Sequence, residues 1–336
     1  MPCVVDAPGA VAHLSAVFMN DFTPSAGGTG DPHEILHNEL SGRFELEAEL
    51  GRGGMGTVFL ARDLARDRRV AIKVIHPELV KGTGLKRFQR EIQITSRLDH
   101  PSIVPLLDSG MAGDLAYFVA PFVEGESLRQ LIRRRGKLEV DEAVEIAGQV
   151  GQALEYAHGE GVVHRDIKPE NIIVSEGQAI VTDFGIARSM DADQTTLTAV
   201  GVVMGSLYYI SPEQLVGSRD VDARADIYSL GCVLYEMITG RPPFLGEREA
   251  IIKQHMFERP TALPGSVPAA LRETVMKALQ KRPGERQESA AELVSALSSS
   301  PSEASARRRD LTLRLAAVAA TLALIAILAV WGSCSG

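Results

Sequence analysis

The chain has 336 residues, and 45% of them are hydrophobic, which is enough for one large domain with additional segments. Its formal net charge of −8 argues against a surface that binds nucleic acid, so no nucleic-acid partner is expected. The three cysteines, Cys3, Cys232 and Cys334, lie far apart in the sequence and fit neither a disulfide framework nor a zinc site.

Residues 1–42 contain scattered glycine, proline, serine and acidic residues without a sustained hydrophobic period, which predicts a disordered N-terminal leader. This leader is not expected to be a secretory signal, because no basic region precedes an apolar run. Met19 is an alternative start of the protein.

The first β-strand is predicted at residues 44–50, where apolar and acidic residues alternate. Residues 51–58 then read G-R-G-G-M-G-T-V, with glycines in the spacing G-x-G-x-x-G. This spacing also marks dinucleotide-binding folds, but there the glycines open a helix. Here residues 57–61 are β-branched and apolar, as in a second strand. The glycines are therefore predicted at the tip of a hairpin, where their lack of side chains lets the backbone approach phosphate groups.

A third strand is predicted at residues 70–75, which are apolar except for Lys73. A lysine in such a strand is costly to bury unless anionic groups face it. Residues 86–97 carry Phe88 and Ile92 on one side of a short predicted helix, and Glu91 would face the sheet from its middle. Taken alone, Glu91 is better explained as a solvated glutamate, as most glutamates are. The neighbouring lysine strand favours an ion pair between Lys73 and Glu91.

Residues 164–171 read H-R-D-I-K-P-E-N, and Asp183 opens the tripeptide D-F-G. Together they place Asp166, Lys168, Asn171 and Asp183 in one fixed order. Phosphoryl transfer needs this set: one acid orients an attacking hydroxyl and accepts its proton, and a lysine neutralises charge on the moving phosphoryl group. An amide and a second acid hold magnesium.

With these motifs in this order, residues 43–297 resemble a eukaryotic-type (Hanks-type) protein kinase domain of the bacterial serine/threonine branch. The resemblance implies an α+β, two-lobed fold. Residues 43–123 would form a small antiparallel β-sheet lobe with one main helix and the hinge, and residues 124–297 a larger helical lobe. ATP and Mg²⁺, with Mn²⁺ as an alternative metal, would bind between the lobes, and proteins would be the substrates.

The resemblance also implies a role for each motif residue. Asp166 would be the catalytic base, Lys168 would stabilise the transferred phosphoryl group, and Asn171 and Asp183 would hold the metal. The nucleotide would be bound by Gly51, Arg52, Gly53, Gly54, Met55, Gly56, Val58, Ala71, Lys73, Glu91, Ala120, Pro121 and Val123.

Within the implied adenine pocket, Ala120 would guard the rear, and residues 121–123 would form the hinge. Because Pro121 has no N–H, the hinge would bind adenine through the carbonyl of Pro121 and the amide of Val123. A side chain as small as that of Ala120 predicts a roomy rear pocket.

Lys168, two residues after the base, is typical of serine/threonine kinases. Residues 205–213 resemble the substrate-docking segment of the family, with Ser206 in place of the usual threonine. The hydroxyl of Ser206 is expected to bond to Asp166 and Lys168. Glu213 is expected to form a buried ion pair with Arg286.

Residues 225–238 are apolar nearly all round, which predicts a helix inside the core. Cys232 within it is expected to be a small buried hydrophobe. Asp226 is unlike its neighbours, and the resemblance implies that it anchors the backbone of the catalytic loop.

Regulation is predicted from Arg165, because an arginine beside the catalytic aspartate can receive a phosphate from the activation segment. That segment contains Thr195, Thr196 and Thr198, and autophosphorylation at one or more of them would order it. The alternative is that these threonines are ordinary loop residues.

Residues 298–310 form a predicted Ser/Arg-rich linker, and residues 311–331 a predicted transmembrane helix. Residues 315–331 carry no charged side chain, at the short end of what spans a bilayer, and Arg314 can extend the span by snorkelling. The alternative is a C-terminal helix buried against the domain, which the polar linker disfavours.

Arginines concentrate before this predicted helix, and residues 332–336 after it carry no charged side chain. The positive-inside bias therefore predicts a single-pass protein of the bacterial inner membrane, with the kinase domain in the cytoplasm and a short outer tail. No extracellular sensor domain is expected. The helix would contact the lipid bilayer, and the small residues Ala317, Ala319 and Ala320 would allow a homodimer.

Two other functions compete with that of a protein kinase. A membrane-tethered pseudokinase scaffold would bind ATP without efficient transfer, but it would be expected to lack Lys73, Asp166, Asn171 or Asp183. A kinase-fold enzyme acting on a small molecule would lack the protein-docking segment at residues 205–213. A P-loop ATPase is excluded, because the sequence contains no G-x-x-x-x-G-K-[ST] motif.

Overall fold

A computed structural model describes residues 31–53, 56–80, 84–184, 204–218 and 220–299. The first half of this part contains an antiparallel sheet with the strand order β1-β2-β3-β5-β4. Its strands are β1 (Phe44–Gly53), β2 (Gly56–Asp63), β3 (Arg68–Ile75), β4 (Asp108–Ala112) and β5 (Leu115–Pro121). The three strands predicted around the glycines and Lys73 are therefore confirmed.

One face of this sheet is covered by helix α1 (Pro32–Leu40), in a segment for which the sequence predicted a disordered leader. The side chain of Asp31 caps the helix by accepting a hydrogen bond from the backbone N–H of His33. Leu36 and Leu40 are buried against the sheet residue Phe59 and its neighbours. The prediction missed α1 because the helix buries only these two leucines fully, too few to give the leader a sustained period.

We expect Leu36→Ala to lower the free energy of unfolding by about 2–5 kcal/mol, because Leu36 is fully buried and its truncation leaves a cavity between α1 and the sheet. Asn38→Ala, at an exposed position of the same helix, is the matched control. Denaturant unfolding followed by far-UV circular dichroism measures both. Equal stability of the two variants would contradict the packing of α1 on the sheet.

The opposite face of the sheet packs against helices α2 (Pro77–Val80) and α3 (Gly84–Thr95). Phe88 and Ile92 of α3 lie in one apolar cluster with Phe118 of β5. The short helix predicted at residues 86–97 is thus confirmed, although it begins and ends two residues earlier. The N-terminal sheet is covered by helices on both faces.

The second half of the described chain is mainly helical. Its helices are α4 (Leu128–Arg135), α5 (Val140–Gly159), α6 (Met204–Leu207), α7 (Pro212–Leu215), α8 (Ala223–Thr239), α9 (Arg248–Phe257), α10 (Ala269–Ala278) and α11 (Ala290–Ser298). A small antiparallel sheet joins β6 (Glu126–Ser127), β7 (Ile172–Ser175) and β8 (Gln178–Val181). The two-lobed arrangement of a small sheet lobe and a larger helical lobe is as predicted.

Helix α8 is the centre of this second half, and every residue from Ala225 to Ile238 is buried. Cys232 is fully buried in it, as predicted, and burial raises the pKa of its thiol well above the usual range. In the part of the chain that the structure describes, no helix combines the length and the apolar composition that crossing a bilayer requires. The predicted transmembrane helix at residues 311–331 lies outside that part.

Candidate active site

A cleft lies between the N-terminal sheet and the helical lobe, with about 720 Å³ of empty space that includes its opening to solvent. Its walls contain many of the side chains predicted to bind the nucleotide, namely Val58, Ala71, Lys73, Ala120, Pro121 and Val123, together with the predicted metal ligand Asp183. Several apolar residues that the sequence did not indicate also line the cleft, among them Leu106 and Ile173. Those residues have no distinguishing pattern, because any buried strand or loop supplies similar side chains.

The glycine-rich motif sits at the tip of the β1–β2 hairpin, as predicted, and Gly53 pairs with Gly56 across it. Gly56 must be glycine, because a Cβ atom there would lie 1.8 Å from the carbonyl oxygen of Val74. Gly54 and Met55 lie outside the described residues. The hairpin tip is therefore held close to the end of β3, which carries Lys73.

Arg52 does not line this cleft, although the sequence analysis placed it among the nucleotide-binding residues. Nε and Nη2 of Arg52 donate to the two carboxylate oxygens of Glu49, at 3.0 Å for each contact. The register of β1 shifts between Glu49 and Gly51, and this irregularity lets the two side chains meet on one side of the strand.

Lys73 forms its ion pair with Asp183 rather than with Glu91, which corrects the sequence prediction. The distance from Lys73 Nζ to Asp183 Oδ2 is 2.7 Å, and the side chains are only 13% and 19% exposed. Asp183 has a left-handed backbone with φ of 61°. Glu91 lies on α3, half-buried and outside the cleft lining. Two carboxylates compete for one amine, and the position of α3 relative to β3 decides between them.

The predicted catalytic residues meet in one hydrogen-bonded cluster. Lys168 Nζ lies 2.8 Å from Asp166 Oδ2. Asn171 Nδ2 donates to the carbonyl oxygen of Asp166 at 2.8 Å and to its carboxylate at 3.2 Å. Lys168 also donates to Ser206 Oγ at 2.9 Å, as predicted. The contact between Ser206 and Asp166 stays a prediction.

Asp226 anchors the catalytic loop, as predicted, from a fully buried position on α8. Its carboxylate accepts hydrogen bonds from the backbone N–H groups of His164 at 2.8 Å and Arg165 at 2.7 Å. His158 Nε2 lies 2.8 Å from the same carboxylate, a contact that the sequence analysis missed. Arg165 has a φ of 67°, which is a strained conformation that these bonds maintain. The following residue, Asp166, is thereby held in place.

The predicted ion pair between Glu213 and Arg286 is present and bidentate. Arg286 Nη1 and Nη2 lie 2.7 and 2.8 Å from the two carboxylate oxygens of Glu213. The side chain of Arg286 is completely buried, and it also donates to the backbone carbonyls of Arg224, Gln280 and Lys281. The pair ties the segment after the catalytic cleft to the C-terminal helices.

A family model described as "Protein kinase domain" matches residues 44–300. The chain belongs to the protein kinase family. It is 44% identical over 266 residues to serine/threonine-protein kinase PknB of Mycobacterium leprae. It is 43% identical over 264 residues to the protein of the same name from Mycolicibacterium smegmatis, and 42% identical over 264 residues to a probable serine/threonine-protein kinase of Streptomyces coelicolor.

These matches cover 76% of this chain, but only 42%, 42% and 39% of the respective relatives. The chain thus spans about two fifths of the length of the curated relatives it matches. The shared region is the kinase domain.

The kinase domain contains a buried network around Arg129 that the sequence analysis missed. Arg129 Nε donates to Glu170 at 2.8 Å, and its Nη1 donates to Glu236 at 2.6 Å. Its guanidinium also contacts the hydroxyl of Tyr209. Burial, followed by the negative charge of Glu236, raises the pKa of Tyr209 well above its usual range, so its hydroxyl stays protonated and donates to Glu236. The network links α4, the catalytic loop and α8.

Asn171 and Asp183 suit a magnesium ion by their chemistry. The amide N–H₂ of Asn171 is bonded to Asp166, which leaves its carbonyl oxygen as the free acceptor of the side chain. Asp183 meets Lys73 through Oδ2, and its second oxygen is a further hard ligand. Mg²⁺ prefers oxygen ligands of this kind, so the donor set fits the metal that the kinase family implies.

Ala120 lines the kinase cleft together with Thr95, Leu98 and Phe118. Thr182 lines it too, and its hydroxyl is buried without a hydrogen-bond partner among the described residues. The roomy rear pocket predicted behind Ala120 stays a prediction.

Arg165 lies beside the catalytic cluster, with its backbone held by Asp226. Thr195, Thr196 and Thr198 lie outside the described residues. Their predicted contact with Arg165 stays a prediction.

Proposed function

We propose that the chain is an ATP-dependent serine/threonine protein kinase, which transfers the γ-phosphate of ATP to serine or threonine hydroxyls of proteins. The observation that carries the proposal is the hydrogen-bonded cluster of Asp166, Lys168 and Asn171 beside the ion pair of Lys73 and Asp183 in the cleft. The two are adjacent, because the backbone N–H of Thr182, next to Asp183, donates to the carbonyl oxygen of Asn171 at 2.9 Å. Names of the relatives support the same activity.

In this mechanism Asp166 orients the substrate hydroxyl and accepts its proton while the oxygen bonds to the γ-phosphorus. The bond from that phosphorus to the β-phosphate oxygen breaks, and ADP leaves. Lys168 lies 2.8 Å from Asp166, where its charge offsets the negative charge of the moving phosphoryl group. Asn171 and Asp183 would hold Mg²⁺, which neutralises phosphate charge when bound. Mn²⁺ is an alternative metal.

Lys73 would bind the nucleotide phosphates, and the ion pair with Asp183 keeps its amine at the cleft wall. The backbones of Gly51, Gly53 and Gly56 would cover the phosphates. The adenine would pack against Val58 and Ala71, with its edge at Pro121 and Val123. The segment at Ser206 resembles the protein-docking segment of the family, and Ser206 contacts Lys168. This contact favours protein substrates over small molecules.

Transfer of labelled phosphate tests this function. The full chain is incubated with labelled ATP, Mg²⁺ and a basic protein acceptor, and the product is analysed for phosphoamino acids. Label in phosphoserine or phosphothreonine is expected. Binding of ATP without any transfer would instead favour the pseudokinase scaffold. Transfer only to a small molecule would favour the kinase-fold enzyme with a small-molecule substrate.

We further propose that autophosphorylation at Thr195, Thr196 or Thr198 activates the enzyme. Replacing all three by alanine is expected to lower the transfer rate about tenfold or more, as the loss of one charge-assisted hydrogen bond of about 1.5 kcal/mol would do. Arg165→Ala should slow the wild-type protein similarly but add little to the triple variant. Phosphosite mapping identifies the modified threonines, and initial rates measure the activity of each variant. A fully active triple variant would contradict activation by these threonines.

We also propose that residues 311–331 anchor the kinase in the bacterial inner membrane as a single-pass helix, with the domain in the cytoplasm. The uncharged stretch 315–331 and the preceding Arg307, Arg308 and Arg309 support this. The same helix would allow a homodimer. Extraction of bacterial membranes with alkaline carbonate tests the anchor: the full chain should stay in the pellet, and a chain ending at residue 310 should be released.

A further inference from the structure

His76 stands at the junction between the glycine-rich hairpin and the helices that lead to Glu91. It directly follows β3, and its ring is half-buried. His76 Nε2 lies 3.0 Å from the carbonyl oxygen of Gly53, at the tip of the hairpin. A carbonyl can only accept, so Nε2 carries the hydrogen and donates it. The side chain of His76 therefore bonds directly to the backbone of the predicted phosphate-covering loop.

The backbone of His76 bonds to helix α2 instead. Its carbonyl accepts a hydrogen bond from the N–H of Leu79 at 2.9 Å, within the first turn of α2. The end of α2 packs closely on the start of α3, because a Cβ atom on Gly84 would lie 2.4 Å from the carbonyl oxygen of Leu79. One residue thus connects the hairpin tip with the helix pair that carries Glu91.

Among the described residues, the hairpin tip is held by strand pairing at Gly53 and Gly56 and by the bond from His76. Glycine has the greatest backbone freedom of all residues, so a loop rich in glycine is costly to order. Backbone pairing to β3 ends where Gly56 faces Ile75. On the β1 side, Gly53 receives the bond from His76. A side-chain donor at this point lowers the number of conformations the loop can adopt.

We propose that His76 is a positioning residue, which holds the glycine-rich loop in place for ATP and ties it to the α2–α3 pair. This inference rests on the proposed kinase function. Its action is on nucleotide binding rather than on the proton transfer at Asp166. Loss of the donor should therefore weaken ATP binding and leave the affinity for the protein substrate unchanged.

The test uses the full chain with His76→Phe, which keeps a ring of similar size but has no donor, and His76→Gln, which keeps an N–H donor at a similar reach. His76→Met is a second donor-free variant. The Kd of ATP is measured directly, and KM values for ATP and for the protein acceptor are measured with kcat. Thermal unfolding establishes that each variant is folded.

We expect both donor-free variants to raise the Kd and the KM of ATP about five- to tenfold, as one lost hydrogen bond would do. The acceptor KM and kcat should stay within twofold of the wild type, and His76→Gln should restore ATP binding. An unchanged Kd in His76→Phe, or equal weakening in the Gln variant, would overturn the proposal. Because the Kd is measured without turnover, a wild-type protein that binds ATP but transfers no phosphate would refute only the kinase function.

Discussion

Replacing Asp166 by asparagine is expected to lower the rate of phosphoryl transfer by about 10²- to 10⁴-fold, the usual contribution of a general base. Asparagine has the same size but cannot accept the proton of the substrate hydroxyl. It keeps an oxygen for Lys168, which lies 2.8 Å away, and for Asn171, so the cluster should stay assembled. The affinity for ATP should change little, because Lys73, the glycine-rich loop and the hinge, rather than Asp166, are proposed to bind the nucleotide.

Initial rates at saturating ATP and Mg²⁺ measure this loss, and thermal unfolding checks that the variant is folded. Asp141→Asn is the matched control, because Asp141 is exposed at the start of α5. It should transfer phosphate at the wild-type rate. If Asp166→Asn kept full activity, the assignment of Asp166 as the base would be wrong.

The second large effect is expected from Arg286→Met, which should lower the free energy of unfolding by about 3–5 kcal/mol. The substitution removes a fully buried guanidinium and leaves the carboxylate of Glu213, which is only 12% exposed, without its partner. Backbone carbonyls of Gln280 and Lys281 lose a donor as well. A buried charge without compensation accounts for most of the cost.

The double variant Glu213→Leu with Arg286→Met separates charge from packing. Because it leaves no unpaired charge, it should be more stable than the sum of the single variants predicts. Lys277→Met is the matched control: it breaks an ion pair of the same 2.7 Å length between exposed side chains of Lys277 and Glu292. That change should cost less than about 1 kcal/mol. Denaturant unfolding measures the wild type, both single variants, the double variant and the control, and equal costs for the buried and exposed pairs would contradict the argument.

Several features of the fold were predictable because their causes are local in the chain. Alternation in residues 44–50 and the β-branched run at 57–61 specify two strands, and the glycines between them specify a hairpin. The nearly all-apolar stretch at 225–238 specifies a core helix, which the burial of α8 confirms. The helix α1 escaped detection, because two buried leucines in nine residues give a weak period.

Side-chain contacts between distant segments could not be predicted from local patterns in the sequence. The pair of Glu213 and Arg286 was predictable only because the resemblance to the kinase family supplied it. The network of Arg129 with Glu170 and Glu236 was not, because an arginine in a basic helix has many equally plausible partners. Such contacts depend on how helices pack rather than on sequence spacing.

The sequence by itself determined the kinase family, the order of the catalytic residues and the strands and helix that carry them, because each of these depends on a short motif or a local period. Only the tertiary structure decided that Lys73 pairs with Asp183 instead of Glu91, that Arg52 binds Glu49, and that His76 reaches Gly53. The strength of an ion pair or a hydrogen bond depends on separations of a few ångströms. Those separations are set by the packing of whole elements, which no local pattern of residues encodes.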